Sequence, residues 1–561
     1  MERALLLIPL LAAVLASADC DSEGAPAGPP TVAVEPRLEE GAAAYVRSLA
    51  SSLAPALGVS VVVSDDPAAE PQGAAVLIDS RAPAEGDALA VTVRFWGAFA
   101  NFWSPAESVS LEGLRRAAAG QVADWSDLGA PAGPLTTYLP LELRGGLERL
   151  LGPLPAADTT SVRWVRRAEA ADRVAADQGA LALLPVDDAD VHLRSLAVDG
   201  VDAVRGVGDA EASPLAERLW LTWQGLEAEP LARALAGALA APPPSPIRLV
   251  ATGDIIPSRC AYARQRAYGD YRHAFLATAD YLRAADLTLG SLDASLSDAG
   301  GPFGCTPTFS LLAPARSVEG LTYAGFDVIT VATNHIKDCG MSACGDTTFL
   351  DTLANLRAAG IVPVGGGQNV AEARRPGFLT VRGVRFAFLG YDEVATSAYG
   401  ATESSPGTAP LNYGIVAEDV AAARQQADVV VVLNQWGTEY TPFPTQRQLD
   451  LAREATDAGA ALVVGNHPHW VQAVEWRATG DGGPAFVAYA LGNFVFDQDW
   501  SLETQQGVVM EATFHGPRLV GVRFLPIHIY DQHQPRWAPA DEARSILARM
   551  REASEAVASA R

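Results

Sequence analysis

The sequence predicts an α/β protein organised as two domains. Three observations carry that reading. Short apolar, β-branched runs alternate with amphipathic helical stretches along most of the chain. A proline-rich break, AAPPPSP at 240–246, interrupts the alternation near its middle. The length of 561 residues exceeds what one ordinary core accommodates.

In chain order, residues 1–20 read as an export signal: Arg3 supplies the positive end, Ala4 to Ala16 the apolar run, and Ala16-Ser17-Ala18 an A-x-A cleavage pattern. Cys20 offers a rival reading, a lipid-anchored N-terminal cysteine, although Asp19 replaces the small residue usual before it. Both readings place the mature chain outside the cytoplasm, secreted or anchored at the cell membrane. Residues 21–30 (DSEGAPAGPP) form a linker without periodicity. A first domain is expected over 31–240, opening with a strand TVAVEP, a helix over Leu38–Ala54 and a strand VSVVVSDD. After the linker at 241–246, a second domain is expected over 247–538, closed by a C-terminal helix over 539–561.

The second domain repeats one unit: a short apolar strand, a polar tip, then an amphipathic helix. The strands are IRLVA, DLTLG, DVITVA, DVVVVL, ALVVG and AFVAYAL, and helices are expected over Ala274–Ala285, Asp346–Ala359 and Thr445–Ala458. Continuous apolar strands of this kind belong to a sheet covered on both faces.

Composition narrows the function. With 49% apolar and 19% charged residues the chain is a folded globular protein. A net charge of −25 with no basic run excludes nucleic acid as a partner, because nucleic-acid binding needs clustered Lys and Arg. Lys337 is the sole lysine, so a GxxxxGK[ST] phosphate loop is absent.

The chemistry gathers at the strand tips, where α/β sheets place their ligand-binding groups. IRLVA leads to Gly253-Asp254, DLTLG to Ser291-Leu292-Asp293, and DVITVA to Thr333-Asn334-His335 with Asp338 and Gly340 beyond. DVVVVL leads to Asn434-Gln435-Trp436-Gly437-Thr438-Glu439-Tyr440, ALVV to Gly465-Asn466-His467-Pro468-His469, and AFVAYAL to Gly492-Asn493-Phe494-Val495-Phe496-Asp497-Gln498. Asp, Asn and His are the oxygen and nitrogen donors that suit Zn, Mn or Fe. Any one of these elements alone reads as a turn, a cap or plain surface; their serial placement points to a shared site. His192, His273, His515, His528 and His533 fall outside the constellation and read as structural or exposed.

The ordered motifs resemble the CapA proteins associated with poly-γ-glutamate capsule synthesis, whose pattern runs GD…R, NLE, NNHxxDxG, HWGxEY, GxHPHxxQ and LGNFxFDQ. Here they stand as Gly253-Asp254…Arg259, Ser291-Leu292-Asp293, Thr333-Asn334-His335-Ile336-Lys337-Asp338-Cys339-Gly340, Gln435-Trp436-Gly437-Thr438-Glu439-Tyr440, Gly465-Asn466-His467-Pro468-His469-Trp470-Val471-Gln472 and Leu491 to Gln498. That family looks like the metallophosphatases, so the resemblance implies a four-layer αββα sandwich holding one or two divalent metals. It casts Asp254, Asp293, Asn334, Gln435, His467 and His469 as ligands and His335 as the catalytic group meeting the leaving oxygen. Three positions depart from the pattern. Asp293 is one carbon shorter than Glu, Thr333 replaces Asn, and Gln435 replaces an imidazole with a neutral amide.

The first domain carries a second resemblance. The run from Val109-Ser110-Leu111-Glu112-Gly113-Leu114 through Gly120 to Trp125-Ser126-Asp127-Leu128-Gly129 resembles phosphate-binding periplasmic proteins. So does Gly179 to Pro185 followed by Leu193 to Gly200. This implies a solute-binding-protein-like α/β domain, without residues that identify its ligand.

Two functions follow. One is a metal-dependent hydrolase or transferase acting on a cell-surface polymer or phosphoester, in the company of capsule-synthesis membrane components. The other is a non-catalytic component that binds metal, polymer or a small anionic ligand without turnover. Export also predicts disulfides among Cys260, Cys305, Cys339 and Cys344. Of three connectivities, Cys260–Cys305 with Cys339–Cys344 is preferred because the second pair closes a short loop beside Asn334-His335; buried free thiols are the alternative.

Overall fold

The computed structural model describes residues 31–34, 75–79, 87–223, 229–306, 308–339 and 344–560. The expected export signal and linker, the helix expected over Leu38–Ala54 and the strand expected at VSVVVSDD lie outside the described residues. The chain divides into two compact units, Met1–Ala189 with Ser195–Pro244, and Asp190–Arg194 with Ser245–Arg561. Among the described residues no helix is long and apolar enough to cross a membrane.

The first unit is a mixed sheet in the order Thr31–Val34, Ala75–Asp79, Ala216–Trp223, Ala88–Asn101, Ala180–Pro185, Thr136–Pro140 and Val162–Val165. Ala180–Pro185 is buried along its whole length. The two stretches singled out in the sequence meet here: Trp125 donates its indole N–H to the Gly179 carbonyl at 3.2 Å. Ser110 caps the helix Leu111–Ala118 by accepting from Gly113 N at 3.0 Å, and Gly129, at φ 83°, closes the turn after Trp125–Leu128.

The second unit is built on two sheets. One runs Val362–Val364, Val328–Thr330, Leu287–Leu292, Ile247–Ile255, Gln506–His515, Arg518–Tyr530, Gln534–Trp537, with Asn493–Val495 beside the end of Ile247–Ile255. The other runs Gly377–Val381, Val384–Asp392, Val429–Gln435, Leu462–Asn466, Pro484–Ala488, Val474–Ala478. The strands carrying the polar tips are parallel neighbours, so their carboxyl ends fall on one edge of each sheet.

Alternation along each strand assigns its faces. Val250, Ile329 and Val509 pack with helix residues Ala261, Leu282, Leu321 and Leu353. Ala387, Val430, Val463 and Val487 pack with Val416, Leu451 and Ala553 on the opposite side. The remaining faces meet each other: Phe386 lies edge-on to Phe514 at 5.4 Å and Phe486 contacts Phe524 at 6.1 Å across the two sheets. The second unit is therefore a four-layer αββα sandwich. Each fully buried Val, Leu or Phe in these layers contributes about 1.5–3 kcal/mol through removal from water.

Several expected elements differ in detail. The stretch 274–285 is not one helix: Thr278 bonds back to Phe275 O and separates a short turn at His273–Phe275 from the helix Ala279–Arg283. AFVAYAL is strand only over Pro484–Ala488; the chain then crosses through Tyr489–Gly492, and Asn493–Val495 joins the other sheet. The closing helix, Ala540–Ser559, is part of the sandwich, burying Ile546, Met550 and Val557. Cys260 is bonded to Cys305 and Cys339 to Cys344.

Candidate metal centre at the strand ends

Asp254 ends its strand fully buried, at 0% exposure, and its Oδ2 accepts from His467 N at 3.2 Å. The backbone there can come this close to its neighbour only because residue 253 is glycine; a Cβ would lie 2.1 Å from Gly492 O. Asp293, also at 0% exposure, follows the adjacent strand and accepts from His335 N through Oδ1 at 3.2 Å. Gln435 stands at the tip of Val429–Gln435, where its Nε2 donates to Asn334 Oδ1 at 3.0 Å and its Oε1 accepts from Ser291 Oγ at 3.5 Å. His469 lies with Nδ1 2.8 Å from Asn493 Oδ1 and 3.6 Å from Asp254 Oδ2. All seven residues anticipated from the sequence thus converge on one place, through contacts between chain segments more than 200 residues apart in sequence, such as His467 with Asp254 and His469 with Asp254.

Electrostatics give this cluster its character. Burial, followed by the charge of Asp293, holds the Asp254 carboxyl well above the usual carboxylate range. Burial likewise raises Asp293, against the opposing pull of His335. His467 is driven down to about 3 by burial and by the charges of His469 and His335, so it is a neutral imidazole. Burial lowers His469 as well. His335 goes the other way: burial opposes its charge, but Asp293 and Asp338 outweigh it and push it up to about 9. Its Nδ1 lies 2.7 Å from Asp338 Oδ2, and Asp338 in turn accepts from Leu311 N at 2.6 Å and from Tyr399 OH at 2.8 Å.

The donor set has open valences. Asp254 Oδ1, Asp293 Oδ2, His467 Nδ1 and Asn466 Oδ1 are buried without a hydrogen-bond partner. Such orphaned acceptors are costly unless something else satisfies them, and all four are atoms that bind cations. Among the described residues no group of three or more His, Cys, Asp or Glu is placed to hold a metal by itself. The set is mixed instead: two carboxylates, imidazole and amide oxygens. It fits a divalent cation in donor chemistry, with fewer charged ligands than six motifs alone would lead one to expect.

Backbone strain is concentrated here too. Of the eight non-glycine residues at positive φ among the described residues, Arg259, Tyr440, His467 and His469 flank this site. Arg259 grips Asp497 through Nε and Nη2, and Cys260 N donates to Asp497 Oδ2 at 2.9 Å, which fixes the end of the LGNFxFDQ motif.

Reading from the sequence missed several participants. Asp392 ends a strand, Val384–Asp392, that the strand pattern passed over, and burial raises its carboxyl to about 6. Tyr399 reaches Asp338 from 61 residues away, with no local signal. Asn434, named at its strand tip but given no role there, is buried with both side-chain polar atoms unpartnered.

Comparison with known proteins gives the following similarities. The sequence model of the family described as Bacterial capsule synthesis protein PGA_cap matches residues 248–498. The capsule biosynthesis protein CapA of Bacillus anthracis is 31% identical over 270 residues, covering 47% of this chain and 63% of the relative. The PGA biosynthesis protein CapA of Bacillus subtilis is 34% identical over 196 residues, covering 35% of this chain and 49% of the relative. The chain therefore spans 63% and 49% of the length of these two relatives, less than two thirds of either. Among solved structures, a 5′-nucleotidase precursor from Thermus thermophilus is similar with TM-score 0.32 and 15% identity, covering 55% of this chain and 59% of that one. An ABC-type phosphate transport receptor from Vibrio cholerae is similar with TM-score 0.27 and 14% identity, covering 38% of this chain and 99% of that one. Residues 248–498, somewhat less than half of the chain, are thus similar to the PGA_cap family of bacterial capsule synthesis proteins and to the CapA proteins.

Proposed function

We propose that this chain is an exported accessory protein of poly-γ-glutamate capsule synthesis, whose second unit holds a divalent cation and hydrolyses a bond in a cell-surface polymer or phosphoester. One observation carries the reading: Asp254 and Asp293 are both fully buried, and each presents a carboxylate oxygen with no partner. Two carboxylates close together in a dry site resist ionising together unless a cation compensates them.

Asp254, Asp293, His467 and Asn466 would hold the cation through their open atoms, with His469, Asn334 and Gln435 completing the shell. A divalent cation (Zn, Mn or Fe) supplies the positive charge that polarises a scissile bond. The chain's own part falls to His335. Asp338 orients its ring at Nδ1, and Tyr399 and Leu311 N fix Asp338. A protonated imidazole held in this way donates a proton to a departing oxygen.

Metal content of the full chain after loading with Zn, Mn or Fe, followed by screens with phosphoester and γ-glutamyl substrates, tests this. One bound equivalent and metal-dependent hydrolysis, both lost in His467→Ala, are expected. A wild-type protein that binds no metal overturns it.

A second reading has its own support. Gln435 occupies the oxygen of Asn334 by donating to it, which withdraws two of the six assigned ligands from ready use. A protein that binds metal and polymer yet turns over neither substrate would be an assembly component. The capsule-synthesis membrane components are the partners in either case, and secretion or a lipid anchor at Cys20 would place the protein beside them.

A further inference from the structure

Outside the cation cluster, one feature stands at its rim with no structural task. Trp500 is 59% exposed, although it sits on a tightly held loop. Thr504 Oγ1 donates to Gln498 O at 2.9 Å and Gln505 Nε2 donates to Ser501 O at 3.0 Å, while Asp497 is clamped by Arg259. A held loop that leaves most of an indole in water forgoes part of the hydrophobic gain of burial. The ring instead meets Tyr440 edge-to-face at 4.8 Å.

Tyr440 connects this exposed ring to the centre. It stacks on His469 at 6.0 Å, and its N–H donates to Pro468 O at 2.9 Å. Its hydroxyl accepts from Gln498 Nε2 at 3.2 Å; Asn493 Nδ2 lies 3.5 Å from Gln498 Oε1, and Asn493 Oδ1 meets His469 Nδ1. This closed ring of contacts holds Tyr440 at φ 62°, a conformation a tyrosine adopts only when its surroundings require it. The result is an aromatic ledge leading from solvent, across Trp500 and Tyr440, to a buried histidine.

The groups flanking the ledge select its ligand. Glu439 and Asp499 are exposed. In a chain of net charge −25, carboxylates beside the ledge repel a polyanion. They are good acceptors for hydroxyl groups, while an indole face receives the C–H bonds of a pyranose ring. We infer that Trp500 and Tyr440 form a subsite for an uncharged glycan chain, distinct from the polyglutamate of the capsule reading and independent of it.

The test is calorimetric titration of the full chain with chitohexaose and cellohexaose, and separately with a poly-γ-glutamate oligomer. Saturable binding of at least one hexaose is expected, weakened tenfold or more in Trp500→Ala and partly restored in Trp500→Phe. Trp537→Ala, an exposed tryptophan elsewhere, should bind as wild type does. So should wild type titrated in the presence of a chelator, which separates this subsite from the cation centre. Absence of saturable binding to both sugars, or sugar binding unaffected by Trp500→Ala, overturns the inference. So does polyglutamate binding that disappears with Trp500, because the ledge would then serve the polyanion.

Discussion

Gln435 donates its side-chain N–H to Asn334 Oδ1 at 3.0 Å, so the amide that stands where the family pattern has histidine is turned into a hydrogen-bond partner of its neighbour. An imidazole at this position would offer a nitrogen lone pair and leave the Asn334 oxygen to other uses.

Gln435→His is therefore expected to raise bound metal per chain, from one equivalent toward two, and to increase any hydrolytic rate several-fold. Elemental analysis of loaded wild type and variant, side by side, measures this. Two full equivalents already in wild type, unchanged in the variant, would show that the amide is no handicap.

Asp392 gives a pH signature. Burial raises its carboxyl to about 6 in the folded chain, against about 3.9 in an unfolded one. The folded state thus holds this proton more tightly, and the penalty for a charged Asp392 is present above pH 6 and relieved as pH falls toward 4. Ionising this carboxyl in the folded chain therefore costs about 3 kcal/mol more than ionising it in an unfolded one. Asp392→Asn keeps an oxygen for Val394 N and Ala395 N, so it should stabilise the protein at pH 8 by roughly 1–3 kcal/mol. Urea midpoints of both proteins at pH 8 and pH 4 check it: the gap should be open at the first and closed at the second.

His533 predicts the opposite slope. It is fully buried; its Nδ1 lies 2.7 Å from Asp531 O and its Nε2 2.7 Å from His273 Nδ1. The carbonyl requires a proton on His533 Nδ1, so Nε2 is the acceptor and His273 the donor. Burial lowers the His533 pKa, hence its stabilising contribution is complete above the unfolded value near 6.5 and is lost as pH falls below it. His533→Gln should cost stability at pH 8 and lose less of what remains between pH 7 and 5. A slope identical to wild type would refute the assignment.

Lys337, the sole lysine, offers a probe of the loop that carries His335. Its ammonium pairs with Asp346, donates to Pro406 O at 3.0 Å, and its side chain is 13% exposed. Amine-selective reagents should modify it at least tenfold more slowly in native than in denatured protein, read by peptide mass mapping. Lys337→Met should cost about 1–3 kcal/mol, because it leaves Asp346 and the Pro406 carbonyl unanswered.

The strand tips were readable because apolar β-branched runs such as DVVVVL and DVITVA announce buried parallel strands, and their polar ends then fall together by topology alone. Val384–Asp392 was not readable in the same way: VRFAFLGYD mixes aromatics, glycine and charge, and only its parallel neighbour Val429–Gln435 reveals it as central. Arg518–Tyr530 alternates between buried and partly exposed residues as an antiparallel strand does, and this departs from the continuous apolar runs of the strands around it. Asp338 illustrates the limit for the site. Its contact with His335 is local, at i to i+3, whereas Tyr399 and Leu311 reach it through the fold.

The place of strand Ile247–Ile255 in its sheet has a consequence for synthesis. One neighbour, Leu287–Leu292, follows within 50 residues, but the other, Gln506–His515, is made some 250 residues later. Until then the strand bearing Asp254 has an open hydrogen-bonding edge, and the helix Ala540–Ser559 that closes the sandwich has not been made. A growing chain that has reached residue 498 carries every motif of the centre, yet the first sheet still lacks its strands from Gln506 to Trp537. Ribosome-bound chains ending before Gln506 should therefore be readily cut by protease throughout this unit, and protection should arrive late and all at once.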